Sequence, residues 1–180
     1  MSENDQNNSP FPHLANVAPM TLTSSDLLDG GSLERPQWSG VFGAGGEDKS
    51  PQLSWAGAPA ETRSFAIMCY DPDAPTGSGY WHWAVANIPA DVTSLPSGAG
   101  TPDSGEVPAS AITLKDDAGI RGFLGAAPPP GHGRHRYVFL AHAVDVESLD
   151  ITEDTSPAML GFHLAGHTIA LGVLTGFHEQ

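Results

Sequence analysis

The sequence has few basic residues and a single cysteine. Of its 180 residues, 7 are Lys or Arg against 21 Asp or Glu, which gives a formal net charge of −14. A field of this sign repels the phosphates of nucleic acids and anionic lipid surfaces, which argues against nucleic acid as a partner. Cys69 has no second cysteine to pair with, and its place in an apolar run indicates a small core side chain.

Long apolar segments are also missing. No run reaches the roughly 18 apolar residues of a membrane span, and the best candidate, near the carboxy terminus, is interrupted by His163, His167 and several glycines. Residues 1–10 are polar and rich in Asn, without the basic start and apolar core of a signal peptide. The sequence therefore predicts a cytoplasmic protein without a membrane span.

What is present fits one compact domain with many turns. The 21 Gly and 16 Pro residues leave little room for long helices. Residues 1–16 lack the apolar content that offsets the entropy of ordering a chain, so they are predicted to form a flexible tail. Residues 17–180 are predicted to form a single domain.

Short apolar segments between turn residues predict a mostly β fold. The predicted strands are residues 20–23, 52–55, 64–70, 81–87, 111–115 and 136–144. The strands that begin at residues 64 and 136 are almost continuously apolar, which is typical of central strands covered on both faces. The long segments 40–49 and 89–108, rich in Gly, Pro, Ser and Asp, are predicted to be loops.

A carboxy-terminal helix is predicted after residue 156. Ser156 and Pro157 have the residue types of a helix N-cap and first turn, and apolar residues follow at roughly helical spacing as far as Leu174. Gly161, Gly166 and Gly172 interrupt this pattern, so a break into two shorter helices stays open.

Two aspartates follow directly on the predicted strand at 64–70. They belong to the segment Asp-Pro-Asp-Ala-Pro at residues 71–75, in which two prolines restrict the backbone and so hold the Asp71 and Asp73 side chains in place. Either Xaa-Pro bond is open to the cis form. The alternative interpretation is a turn whose aspartates accept hydrogen bonds from backbone amides.

His82 lies between Trp81 and Trp83. Strand alternation predicts the two indoles on one face and the imidazole on the other, a short loop away from the two aspartates. A buried core histidine is the alternative interpretation.

A third motif leads into the strand at 136–144. Three prolines and Gly-His-Gly precede Arg134, His135, Arg136 and Tyr137. The period of two places His135 and Tyr137 on one face, opposite Arg136, and both arginines are predicted to be exposed to solvent. If this strand lies near the strand that ends at Asp71, two histidines, two carboxylates and a phenol converge.

Together these three motifs resemble the phosphatidylethanolamine-binding proteins, also called Raf kinase inhibitor-like proteins, and most closely their bacterial branch. The resemblance covers residues 20–177. It implies an antiparallel Greek-key β-sandwich with peripheral helices, and a small pocket that takes phosphate, acetate or a phospholipid headgroup. Carried over residue by residue, the implied pocket consists of Asp71, Asp73, Pro75, His82, Pro128, Pro129, His135 and Tyr137.

Donors in fixed positions suit an anion, and two imidazoles with a phenol supply them. We expect affinity for phosphate-like ligands to rise as the pH falls through about 6.5, where an ordinary histidine gains its charge. The resemblance also implies regulation of kinases or inhibition of proteases in some members, so a kinase or protease is a candidate partner. The sequence is compatible with a homodimer.

An enzyme is the competing interpretation. A metal-independent hydrolase would use the aspartates and histidines with Thr76 or Ser78 as nucleophile. However, the sequence lacks a Gly-x-Ser-x-Gly elbow and the glycine-rich nucleotide-binding motifs. A binding or regulatory module without catalytic residues is therefore predicted.

A metal site is not predicted either. Asp71, Asp73, His82 and His135 are acceptable ligand types, but no compact spacing such as His-Glu-x-x-His brings them together. No metal and no cofactor is expected.

Overall fold

The computed structural model describes Phe11, Leu14 and residues 16–180. Within these residues the chain forms nine β-strands and one α-helix, with a short 3₁₀ helix at Arg35–Gln37. In chain order the elements are β1 Ala18–Pro19, β2 Thr21–Thr23, β3 Leu53–Ala56, β4 Ser64–Asp71, β5 Tyr80–Pro89, β6 Ser94–Leu95, β7 Ile112–Thr113, β8 His135–Val144, α1 Pro157–His167 and β9 Thr168–His178.

The strands form two sheets. The large sheet has the order β1-β9-β8-β4-β5-β7, and the small sheet has the order β2-β3-β6. Every neighbouring pair is antiparallel except β1 and β9, which run parallel. The mostly β prediction is confirmed, whereas the Greek-key arrangement stays a prediction.

Apolar side chains cover both faces of the large sheet. On one face, Ile67 and Phe139 share a cluster with Leu53 of the small sheet. On the other face, Met68 shares a cluster with Leu160 of α1. Strands β4 and β8 lie at the centre of this arrangement, which is why their sequences are apolar almost without alternation.

The six predicted strands are confirmed, with ends that differ by at most two residues. The helix prediction was wrong beyond residue 167. The helix is 11 residues long and capped by Ser156, whose hydroxyl accepts from the Met159 backbone. The next residues form β9, which pairs with β8 over its whole length. No helix in the described part of the chain has the length and apolar character that crossing a bilayer requires.

The reason for this error lies in β9 itself. Its alternate residues Ala170, Gly172 and Leu174 are buried in a period of two, but its apolar residues also fit a helical spacing. A Cβ added to Gly172 would lie 3.0 Å from the Leu22 Cβ and 3.1 Å from the Met20 carbonyl oxygen. The glycine therefore allows close approach of the neighbouring chain, which local sequence does not reveal.

Part of the predicted amino-terminal tail packs on the large sheet. Phe11 and Leu14 are each 4% exposed, and the Phe11 ring contacts Trp81 and His142. Asn16 is the one further described residue of that segment. The rest of the segment lies outside the described residues, so the tail stays a prediction there.

Candidate functional site

Asp71 and His135 are brought together by strand pairing. Tyr70 of β4 pairs with Val138 of β8, so the end of β4 lies beside the start of β8. The Asp71 Oδ2 atom is 2.8 Å from His135 Nδ1, and both side chains are almost fully buried. Because a carboxylate oxygen accepts, Nδ1 of His135 carries a proton. The second Asp71 oxygen accepts from the Asp73 backbone amide at 2.8 Å, as the alternative turn interpretation predicted.

Asp73 forms an ion pair with Arg136. The guanidinium donates through Nε at 2.8 Å and through a terminal nitrogen at 2.7 Å, and the Arg136 backbone amide donates at 2.9 Å. These hydrogen bonds lower the pKa of Asp73 and raise that of Arg136. The predicted solvent exposure of Arg136 was therefore wrong, because Asp73, from the loop between β4 and β5, partly covers its side chain. Arg134 is exposed as predicted, and its guanidinium lies 3.8 Å from the centre of the Phe177 ring.

A β-bulge sets the direction of His82. Cys69 pairs with Trp83 and Tyr70 pairs with Trp81, which leaves His82 as an extra residue on β5. The predicted common face of the two indoles was wrong. Trp83 packs in the cluster that includes the small sheet, whereas Trp81 packs against the cluster that includes α1. A period of two cannot foresee the inserted residue.

His82 is a buried and oriented imidazole. Its Nδ1 donates to the Leu124 carbonyl oxygen at 2.8 Å, and its ring centre lies 4.8 Å from that of Tyr80 and 5.1 Å from that of Tyr137. Burial lowers the pKa of His82, although the Leu124 hydrogen bond and the charge of Asp71 partly oppose this effect. The imidazole is therefore neutral at pH 7, with its proton on Nδ1.

Tyr137 has a buried hydroxyl without a partner. The residue is 1% exposed, and Oη makes no hydrogen bond within the described residues. Burial raises the pKa of Tyr137, and the charge of Asp71 adds to this rise. The Ala127 backbone amide favours the ionised form, but its approach does not reach normal hydrogen-bond geometry. An unpaired buried hydroxyl is costly, which points to a ligand as its partner.

The three prolines of the predicted pocket differ in their burial. Pro128 is buried, while Pro75 and Pro129 are exposed and stay predictions as pocket residues. The peptide bonds are trans throughout the described residues, which resolves the question left by the two Xaa-Pro bonds.

Sequence reasoning missed His132 and Tyr80. Nδ1 of His132 lies 2.7 Å from Nε2 of His135, and the Tyr80 ring packs on His82. The spacing of three residues between the two histidines, at the start of a strand, was the signal available for His132. Tyr80 lay next to the Trp-His-Trp segment.

A separate open groove has a volume of about 520 Å³ and lies between residues 99–107 and Arg121. The Arg121 guanidinium is already held by the carbonyl oxygens of Thr113 and Glu153. Among its described lining residues, this groove has no buried polar atom without a hydrogen-bond partner. The candidate site is therefore the group around His82, His135 and Tyr137. Among the described residues, no three His, Cys, Asp or Glu side chains are arranged to hold a metal ion.

Comparisons with known proteins identify the family of this chain. A family model described as phosphatidylethanolamine-binding protein matches residues 23–179. The chain belongs to the phosphatidylethanolamine-binding protein family. Within it, the UPF0098 protein YbhB of Escherichia coli K12 is 46% identical over 158 residues, which cover 87% of this chain and 98% of YbhB. This confirms the resemblance to the bacterial branch.

Solved structures of family members have the same fold. The crystal structure of E. coli YbcL, described as a new member of the mammalian PEBP family, superimposes with a TM-score of 0.87 at 41% identity. The match covers 91% of this chain and 99% of YbcL. The homologue CT736 of Chlamydia trachomatis has a TM-score of 0.75 at 30% identity and covers 90% of this chain and 98% of its own.

Proposed function

We propose that the protein binds a small oxyanion at His82, His135 and Tyr137 and acts as a binding or regulatory module. The ligand class comprises phosphate, acetate and the phosphate of a phospholipid headgroup, which share charged oxygen acceptors. The observation that carries the proposal is the buried Tyr137 hydroxyl without a partner, beside an imidazole held in one orientation. A hydroxyl of this kind regains a hydrogen bond when an oxygen acceptor enters.

The two histidines are oriented by different acceptors. The Leu124 backbone carbonyl accepts a hydrogen bond from Nδ1 of His82, and the Asp71 carboxylate accepts one from Nδ1 of His135. In each ring, Nε2 is the remaining nitrogen, and in His135 it contacts Nδ1 of His132 at 2.7 Å. A neutral imidazole with its proton on Nδ1 accepts at Nε2, so donation to an anion requires a second proton.

The acidic residues of the site are compensated locally. Arg136 pairs with Asp73, and a protonated His135 would pair with Asp71. If an imidazole takes up one proton when the anion binds, neither Asp71 nor Asp73 faces the anion as an unpaired negative charge. This supports an anion as ligand despite the net charge of −14.

We favour binding over catalysis. The Thr76 hydroxyl donates to the Gly79 carbonyl, and in the described residues neither it nor the Ser78 hydroxyl contacts a histidine. A serine or threonine nucleophile needs such a base within hydrogen-bond reach. The regulatory role on a kinase or protease stays a prediction from the resemblance.

Tyr137→Phe tests the proposal. The change deletes only the hydroxyl, so we expect affinity for inorganic phosphate to fall about 10- to 150-fold, the value of one hydrogen bond to a charged group. The free energy of unfolding should stay equal or rise, because no hydrogen bond is lost in the protein. Isothermal titration calorimetry and urea denaturation measure the two quantities.

A second tyrosine serves as control. The Tyr70 hydroxyl donates to the Ser78 carbonyl at 2.8 Å and is outside the proposed site, so Tyr70→Phe should leave phosphate affinity unchanged. Equal affinity of wild type and Tyr137→Phe would contradict the proposal. Parallel titrations with acetate and with glycerophosphoethanolamine distinguish free anions from a headgroup. If the wild type hydrolyses p-nitrophenyl phosphate and His82→Ala does not, the enzyme interpretation would be favoured instead.

The pH dependence of binding has a defined sign. Burial lowers the pKa of free His82, whereas a bound anion favours its charged form. Affinity should therefore rise as the pH falls below 7, and the increase should continue below the 6.5 of an ordinary histidine. Sulfate, which does not titrate in this range, separates this effect from protonation of phosphate.

A further inference from the structure

His132 lies in the turn that precedes β8. Its neighbours Gly131 and Gly133 have φ values of +77° and +97°, in the region that favours glycine. The residue is exposed, and its backbone amide donates to the Pro129 carbonyl at 3.0 Å. The imidazole therefore reaches inward from a surface turn and is not part of the core.

The contact between His132 and His135 uses the one atom of His135 that faces a ligand. Asp71 already holds Nδ1 of His135, which leaves Nε2. Nδ1 of His132 lies 2.7 Å from that Nε2 atom, and the ring centres are 5.0 Å apart at 69°. With neutral His135 protonated on Nδ1, its Nε2 accepts and His132 donates.

We propose that His132 is a displaceable cap on the anion site, which takes the position on His135 Nε2 that an anion oxygen occupies in the complex. This inference rests on the proposed function of the site. On binding, the His132 hydrogen bond to Nε2 breaks, Nε2 takes up a proton from solvent, and the resulting N–H donates to the anion oxygen. Only a ligand whose hydrogen bond with His135 is stronger than the one between the two imidazoles displaces His132. A charged oxygen meets this condition better than a neutral one, so the cap selects against neutral ligands.

The surroundings confine the movement to the turn. The Gly131 amide donates to the Gln180 carbonyl at 2.9 Å, and Arg134 stacks on Phe177. These contacts fix both sides of His132 to the end of the large sheet. His132 is exposed, and moving its ring uncovers the otherwise buried His135 imidazole. Rotation about the side-chain bonds, with small changes at the two glycines, is sufficient.

Substitution of His132 separates a cap from a ligand-binding residue. His132→Ala removes the competing hydrogen bond, so affinity for inorganic phosphate should rise about three- to tenfold over wild type. His132→Asn places an amide nitrogen as many bonds from Cα as the imidazole Nδ1, so its affinity should remain close to that of wild type. His163→Ala, on α1, is the control and should change nothing.

Unchanged or weaker binding by His132→Ala overturns the cap, and weaker binding would make His132 a direct ligand contact. If neither wild type nor His132→Ala binds phosphate or glycerophosphoethanolamine, the proposed function fails and the cap with it. Histidine ¹⁵N spectra give a reading without ligand. His132→Ala should shift the Nε2 resonance of His135, and an unchanged resonance would show that the contact is not formed.

Discussion

The Tyr137 hydroxyl and one Asp116 carboxylate oxygen are among the buried polar atoms without a hydrogen-bond partner in the described residues, and they lack one for different reasons. The Tyr137 hydroxyl lies beside His82, where a ligand can complete it. The Asp116 carboxylate is 5% exposed, and its Oδ1 atom accepts from the backbone amides of Ala118 and Ile120, but Oδ2 accepts from nothing. Burial raises the pKa of Asp116 to about 6. The ionised carboxylate is therefore a local weakness of the fold at neutral pH.

Asp116→Asn should stabilise the protein at pH 7. The pKa of about 6 in the folded chain exceeds the ordinary 3.8, so the contribution of Asp116 to stability is fully present below pH 3.8 and is lost as the pH rises through 6. Asn keeps the Oδ1 acceptor and carries no charge. Its advantage should grow from near zero at pH 4 to about 1–3 kcal/mol at pH 7. Urea denaturation across this range measures the difference.

Exposed Asp91 provides the comparison, since Asp91→Asn should change the free energy of unfolding by less than about 0.5 kcal/mol at any of these pH values. An advantage of Asp116→Asn that does not vary with pH would show that the buried charge is not its cause.

The backbone of the segment that orients His82, residues 124–125, packs directly against the backbone of residues 38–39. Leu124 supplies the carbonyl oxygen for His82, and the next residue, Gly125, touches Trp38 and Ser39. A Cβ on Gly125 would lie 2.4 Å from the Trp38 carbonyl carbon. The Gly125 amide also donates to Asp48 at 2.8 Å. The loop of residues 38–48 thus fixes the position of the Leu124 carbonyl from outside the site.

Gly125→Ala should weaken both the fold and the site. The new methyl group meets backbone that cannot rotate away, so the free energy of unfolding should fall by about 1–3 kcal/mol. Movement of the Leu124 carbonyl should release His82 and lower phosphate affinity. Denaturation and calorimetry report the two effects.

A helical glycine provides the matched control. Gly166 of α1 has nothing within 4 Å of an added Cβ, so Gly166→Ala should raise stability by about 0.5–1 kcal/mol and leave phosphate binding unchanged. Normal phosphate affinity in Gly125→Ala would mean that the loop does not position His82.

The charge of the molecule opposes the proposed ligand. The net charge of −14 surrounds a site whose nearby cations are Arg134 and Arg136, and Arg136 is neutralised by Asp73. At low salt the field of the distant carboxylates extends roughly 30 Å, and at physiological salt it extends about 8 Å. Added salt therefore weakens the repulsion of an anion by the distant carboxylates more than its attraction to the nearby cations of the site.

Phosphate affinity should rise about two- to threefold when sodium chloride increases from 20 to 150 mM at constant pH. Calorimetry in the two buffers tests this, and unfolding curves in the same buffers control for changes in stability. A fall in affinity with salt would show that Arg134 and the imidazoles dominate the field at the site.

Patterns along the sequence were enough to predict the six strands and the helix start at Ser156, because strand alternation and N-cap chemistry depend on neighbouring residues. The motifs also predicted that His135 and Tyr137 share a face. The secondary structure of residues 168–174 was not predictable in this way. Their apolar spacing fits a helix and a strand, and pairing with β8 decided for the strand.

By itself the sequence determined which segments form strands and which residue types carry the site's chemistry. Only the tertiary structure decided that His82 is the extra residue of a bulge, that Arg136 pairs with Asp73, and that His132 reaches His135. Each of these depends on which distant segments meet and in what register. A single strand cannot specify that, because its own backbone geometry fixes only the alternation of its side chains.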